Sequence, residues 1–188
     1  LNSWWLLVHV SIIVASYGPF TISMVLGMLA LILYIFTNKK NKKKMKLAIN
    51  EITAINEMSL TIGLVLLTIG NFLGGIWANE SWGRYWGWDP KETWALISII
   101  IYSFVLHMRI IPGLKSKFTF NMVSVFAFAS ILMTYLGVNH LLSGLHSYAA
   151  GESAEVPVQI WGWLGLSILL SILAYFKFKK YFNKKKKK

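Results

Sequence analysis

Apolar residues run in five long stretches, roughly from Leu6 to Phe36, Met58 to Trp77, Thr93 to Ile111, Phe118 to Val138 and Gln159 to Phe178, with polar segments between them. Each has about the 20 residues that carry a helix across a hydrocarbon core. The first is long enough to cross and still protrude, and Gly18 and Pro19 mark an expected kink within it. From Met45 to Met58 the pattern changes: Met45, Ala48, Ile49, Ile52 and Ile55 recur at helical spacing, opposed by Asn50, Glu51 and Asn56. That stripe predicts an amphipathic helix lying on a membrane surface. The chain therefore reads as an all-α integral membrane protein, a single membrane domain over residues 1–188 with about five transmembrane helices and one surface helix. A chain opening on Leu1 instead of Met carries the further expectation of a fragment or processed product.

Charge gives these spans a direction. Six lysines fall between Lys39 and Lys46, three cations between Arg109 and Lys117, and eight lysines between Lys177 and Lys188. Alternating spans put all three segments on one side and leave only Arg84 and Lys91 on the other. By the positive-inside rule the N-terminus is outside and the C-terminus inside, with outer loops at 77–94 and 139–158. The formal charge of +12 is then a matter of membrane topology and headgroup contact, and nucleic acid is not an expected partner. A hydrophobic fraction of 56% and a mean hydropathy of +0.56 agree with a lipid bilayer as the main solvent. The absence of cysteine excludes disulfides, thiolate metal sites, CxxC redox chemistry and a cysteine nucleophile.

Candidate chemistry gathers on the outer side. All nine tryptophans fall at or near the outer ends of the spans, whereas an interfacial belt populates both ends. Five of them lie in the segment WANESWGRYWGWDPKETW, where Gly83 and Gly87 interleave the rings and let a flat ligand approach the backbone. The indoles of this segment offer faces on which an aromatic macrocycle stacks, and Arg84 and Lys91 are the outer cations that its carboxylates would meet. Asp89, Pro90 and Glu92 also spell the start of a helix, as N-cap, first helical residue and capping-box partner, so Asp89 has a structural and a ligand-binding reading of equal weight. Gly70 and Gly74 form a GxxxG pair, read as close helix packing.

Four histidines complete the inventory. His9 and His146 share the outer face with the tryptophan loop, where two imidazoles on either side of a macrocycle can ligate its iron; surface roles stay equally open for both. His107 lies about 25 Å down the third span, near the inner leaflet. An ionisable group there is a functional candidate, although headgroup contact also accounts for it. His140 has no partner in the pattern.

The segment from Trp82 to Glu92, WGRYWGWDPKE, resembles the WWD signature of haem-handling membrane proteins, and in particular the CcsA (ResC) branch of cytochrome c biogenesis. The resemblance extends through NEMSLTIGLVLLTIGNFLGGIWANES upstream and through ETWALISIIIYSFVLHMR and GVNHLLSGLHSYA downstream, nearly the whole chain. It implies a haem transport protein that is half of a cytochrome c synthase, or haem lyase, active only with a CcsB (ResB) partner. Haem b would be presented on the outer loop to the CxxCH thiols of apocytochrome c. His9 resembles the external histidine that precedes the WWD segment and His146 the one that follows it; together they would ligate the iron above Trp82, Trp86 and Trp88. His107 resembles the family's transmembrane histidine, which takes haem from the inner side. Family members carry further membrane segments ahead of this point, and a second transmembrane histidine is expected on the partner half. The resemblance implies a bacterial inner or plasma membrane, or a thylakoid membrane. Two other readings remain at this stage: a CcmC-like protein delivering haem to a chaperone, and a non-haem scaffold or permease whose tryptophan loop binds quinone or lipid.

Overall fold

A computed structural model of the chain describes residues 4–142, 144–145 and 156–182. The helices are α1 (Trp4–Ile35), α2 (Lys42–Trp82), α3 (Pro90–His107), α4 (Lys117–Leu132), the four-residue α5 (Val138–Leu141) and α6 (Val158–Tyr181). A 3₁₀ turn at Met108–Ile110 ends α3, and a π-helical turn at Met133–Gly137 joins α4 to α5. Among the described residues there is no strand, and five segments are long and apolar enough to cross a membrane. The protein is an all-α integral membrane protein.

The expected surface helix does not form a separate element. Residues 45–58 are the first turns of α2, one unbroken helix of 41 residues that continues as the second span. Asn56, assigned to the polar face by its residue type, is completely buried, while Ile55 is exposed. The reason lies in the neighbours. Ser23 Oγ on α1 donates to Asn56 Oδ1 at 2.5 Å, and Asn56 Nδ2 donates to Asn121 Oδ1 and Ser124 Oγ on α4, each at 3.0 Å. Asn121 Nδ2 in turn donates to Thr53 Oγ1 at 2.8 Å. A polar stripe that finds this many partners has no need of water.

The buried positions of α2, at Ile49, Thr53, Asn56, Leu60, Gly63, Leu67 and Gly70, alternate steps of four and three. Those of α1, at Ser16, Phe20, Ser23, Gly27, Ala30 and Tyr34, do nearly the same. Two such stripes on consecutive helices make a long antiparallel seam. Large residues of α1 face glycines of α2 along it: a Cβ on Gly63 would come within 2.9 Å of the Phe20 ring, and one on Gly70 within 2.8 Å of Ile13. One step further up, His9 lies on Gly74. The core then adds α3 and α4 through Tyr102, Val105, Ala127 and Ile131, with Phe20 and Tyr102 stacked at 4.0 Å.

The basic segments meet at one end of this bundle. Lys117 Nζ donates to Asn50 Oδ1 at 2.8 Å, Arg109 pairs with Glu57 at 2.5 Å, and Lys42 lies over the Phe182 ring at the end of α6. Tyr34 packs against Phe118, Phe178 and Phe182 at the same level. At the opposite end lie His9, the tryptophan loop and the described part of the 139–158 loop, as the alternation of spans requires.

Candidate functional site

α2 closes at Trp82 because Gly83 turns left-handed, with φ 70°, and its N–H returns to Asn79 O at 2.9 Å. That conformation favours glycine, which accounts for Gly83 without any ligand contact. The chain then crosses to α3, whose first turn is fixed by Asp89 and Glu92. Glu92 Oε2 accepts from Gly87 N at 2.8 Å and from Asp89 N at 3.3 Å, and Asp89 Oδ2 accepts from Lys91 N at 3.1 Å. The capping box expected from the residue pattern is present.

Within this frame Trp88 adopts φ 57°, the one non-glycine residue with positive φ among those described. A left-handed tryptophan costs about 1–2 kcal/mol. The loop bears that cost while holding the Trp88 indole 73% exposed, with its ring edge-on to Trp86 at 5.7 Å. Beside it the Arg84 guanidinium lies against Gly87, where any Cβ would displace it.

His9 is positioned from three sides. A carbonyl only accepts, so the 2.7 Å contact between His9 Nδ1 and Gly70 O makes Nδ1 a donor, and in the neutral ring that leaves the lone pair on Nε2. The ring rests on Gly74, whose Cβ position it occupies, and stacks on Trp77 at 6.3 Å with an 11° interplanar angle. Trp77 continues edge-on into Trp82 at 4.8 Å. A neutral imidazole with Nε2 as its basic nitrogen, oriented by a backbone carbonyl, has the form of an iron ligand.

His9 opens on a crevice of about 280 Å³ that it shares with Tyr17, Asn71, Tyr85, Trp86 and Lys91. Lys91 Nζ donates to Asn139 Oδ1 at 2.9 Å. Glu92 of α3 and Thr134 and Tyr135, from the π-helical turn, supply the remaining polar wall. Thr134 Oγ1 bonds back to Ser130 O at 2.8 Å and meets Ser98 Oγ at 3.0 Å, so the turn is held against α3.

The expected site residues thus separate into groups. His9, Trp86 and Lys91 line one crevice; Trp82 joins it through Trp77; Trp88 and Arg84 stand on its exposed rim. Asp89 is turned inward and is only 6% exposed. His107 is at the far end of α3, exposed, with Nδ1 donating to Ser103 O at 2.7 Å. His146 lies outside the described residues. His140 borders a second, apolar crevice of about 260 Å³ with Trp161 and Trp163. Residue patterns alone missed Gly70, Gly74 and Trp77 as the support of His9, and missed Tyr17, Asn71 and Tyr135 as crevice walls.

Comparison with known proteins agrees with the resemblance. Residues 1–146 match the family described as Cytochrome C assembly protein. The chain is 50% identical over 175 residues to Protein NrfI of Wolinella succinogenes, a match covering 93% of this chain and 19% of that protein. It is 40% identical over 149 residues to the Cytochrome c biogenesis protein CcsA of Chlamydomonas reinhardtii, covering 79% of this chain and 41% of that one. It is 37% identical over 174 residues to the CcsA of Prochlorococcus marinus (strain MIT 9301), covering 79% and 55%. The chain therefore spans about half or less of the length of these curated relatives. It is a member of the cytochrome c assembly protein family, of the CcsA type.

Proposed function

We propose that this chain holds haem b on its outer face and presents it to the CxxCH thiols of apocytochrome c, as one part of a cytochrome c synthase completed by a CcsB partner. The observation that carries this reading is the support of His9: Gly70 O sets its tautomer, Gly74 and Trp77 set its plane, and it faces a crevice walled by Trp86 and Lys91. His146, from the second outer loop, is the proposed ligand on the other side of the iron. Trp88 and Trp86 present indole faces to the macrocycle, and Arg84 and Lys91 present cations to its propionates.

The haem is cargo, and its vinyl groups supply the reactive carbons. The work of this chain is positioning: it holds the cargo in one plane at the surface so that a docked thiol pair meets it in register. Two imidazole ligands leave the iron no open position for oxygen. His107, whose Nδ1 likewise donates to a backbone carbonyl, is proposed as one half of an inner haem site whose second histidine comes from the partner. The lipid bilayer is a bacterial inner or plasma membrane or a thylakoid membrane, with the tryptophan loop on its outer side.

The test is the reduced visible spectrum of the detergent-purified chain from haem-replete cells, beside a His9→Ala, His146→Ala double variant. A bis-histidine b-type spectrum in the parent that vanishes in the variant is the expected result. A parent that stays colourless with its partner coexpressed and haem added would overturn the reading in favour of a quinone or lipid platform.

Trp88 gives a separate check. Trp88→Gly removes both the left-handed strain and the exposed indole. Its thermal midpoint is expected to equal or exceed the parent's while haem retention through gel filtration falls severalfold; unchanged retention would show that the indole does not contact the cargo.

A further inference from the structure

The carboxylate of Asp89 has two ends and serves two loops. Oδ2 accepts from Lys91 N and caps α3, while Oδ1 accepts from Leu145 N at 2.6 Å, a residue 56 positions away in the second outer loop. Gly144 lies so close to Oδ1 that any Cβ would collide with it and with Pro90. A second cross-link runs beside the first, from Lys91 Nζ to Asn139 Oδ1.

We infer that Asp89 is a positioning residue that sets the second outer loop in register with the tryptophan loop, and that it acts on the haem site through Leu145 without touching haem. The inference rests on the proposed outer haem site, and His146 is the residue that follows Leu145 in sequence. A buried carboxylate with separate N–H donors on its two oxygens fits this task. A cap alone uses one oxygen, and serine, threonine or asparagine cap a helix as well as aspartate does. Only a carboxylate accepts at both ends. The glycine at position 144 gives the matching half, since it lets the loop backbone come down onto Oδ1.

Two substitutions separate the latch from the cap. Asp89→Asn keeps an Oδ1 that caps α3 but turns an NH₂ donor toward the Leu145 N–H, donor against donor. Gly144→Ala keeps the Asp89 carboxylate as the acceptor from Lys91 N, while its Cβ, striking Oδ1 and Pro90, pushes the loop away from Oδ1. The measurement is hydrogen exchange of the full chain in detergent, read at the Leu145 amide and along α3, together with haem content and spectrum after loading with haem. The parent is expected to protect Leu145. Both variants are expected to lose about tenfold or more of that protection, the effect of removing a hydrogen bond to a charged group, while α3 from Trp94 onward keeps its protection. Haem retention is expected to fall about tenfold in both, with the bis-histidine bands weakened. An unprotected Leu145 in the parent, or full haem retention with normal bands in both variants, overturns the inference. If Asp89→Asn loosens α3 as well, Gly144→Ala decides the matter alone. A parent that binds no haem refutes the outer haem site, and the exchange data then still decide whether the latch exists.

Discussion

Replacing Gly74 by alanine is expected to abolish most cytochrome c assembly while leaving the protein in the membrane at its normal level. The His9 ring occupies the place where a Cβ on Gly74 would stand, and the added methyl overlaps Cε1 and crowds both ring nitrogens. The ring has few directions in which to yield, because Trp77 covers one face and Gly70 O holds Nδ1. It must leave the carbonyl or α1 must lift from α2. Either change moves Nε2 by about 1 Å, a displacement that costs on the order of 10²-fold in positioned chemistry. Gly63→Ala provides the control, since its Cβ strikes Phe20 on the same seam at 2.9 Å, several turns from His9. Attached cytochrome c, measured by haem stain, is expected to fall tenfold or more in Gly74→Ala and much less in Gly63→Ala. Equal losses in both would mean that helix separation, and not the histidine, is responsible.

Asn56→Leu is expected to destabilise the bundle by about 2 kcal/mol, taking roughly 0.6 kcal/mol for each hydrogen bond between helices in a membrane and three such bonds lost. The bonds are those to Ser23, Asn121 and Ser124, so the substitution touches α1 and α4 together. Leucine also leaves the Asn121 and Ser124 oxygens facing an apolar group, which adds to the loss. The measurement is the unfolding midpoint in increasing SDS, with Asn50→Leu, whose side chain meets Lys117 at the exposed end, as the comparison. A midpoint equal to the parent's would show that the polar cluster contributes nothing net.

These two sites also mark where sequence reading succeeds and where it stops. The spans were legible because hydropathy over twenty residues is set by the bilayer, whatever the helices pack against. The start of α3 was legible because capping is local: Asp89, Pro90 and Glu92 carry their meaning within four positions. Asn56 was misread because periodicity assigns polar residues to water, and its partners lie 33 to 68 positions away. The support of His9 was illegible for the same reason. Gly70 and Gly74 correctly signalled close approach, but only the register of α1 against α2 reveals that a histidine is what approaches. The tryptophan loop lies between: its composition raised the expectation of a flat ligand, whereas the left-handed Trp88 and the inward turn of Asp89 depend on backbone geometry that residue types do not encode.

The length of the α1–α2 seam has a consequence for the bilayer itself. From Leu6 to Ile35 the apolar run of α1 measures about 45 Å, against a hydrocarbon core of about 30 Å. Such a hairpin stands in positive hydrophobic mismatch with an ordinary bilayer. It leans, thickens the lipid around it, or has its excess covered by other protein. Because His9 and Trp77 ride on the same rigid pair of helices, any lean carries the crevice with it. The thickness of the host membrane thereby becomes one of the variables that set the level of the crevice relative to the headgroups.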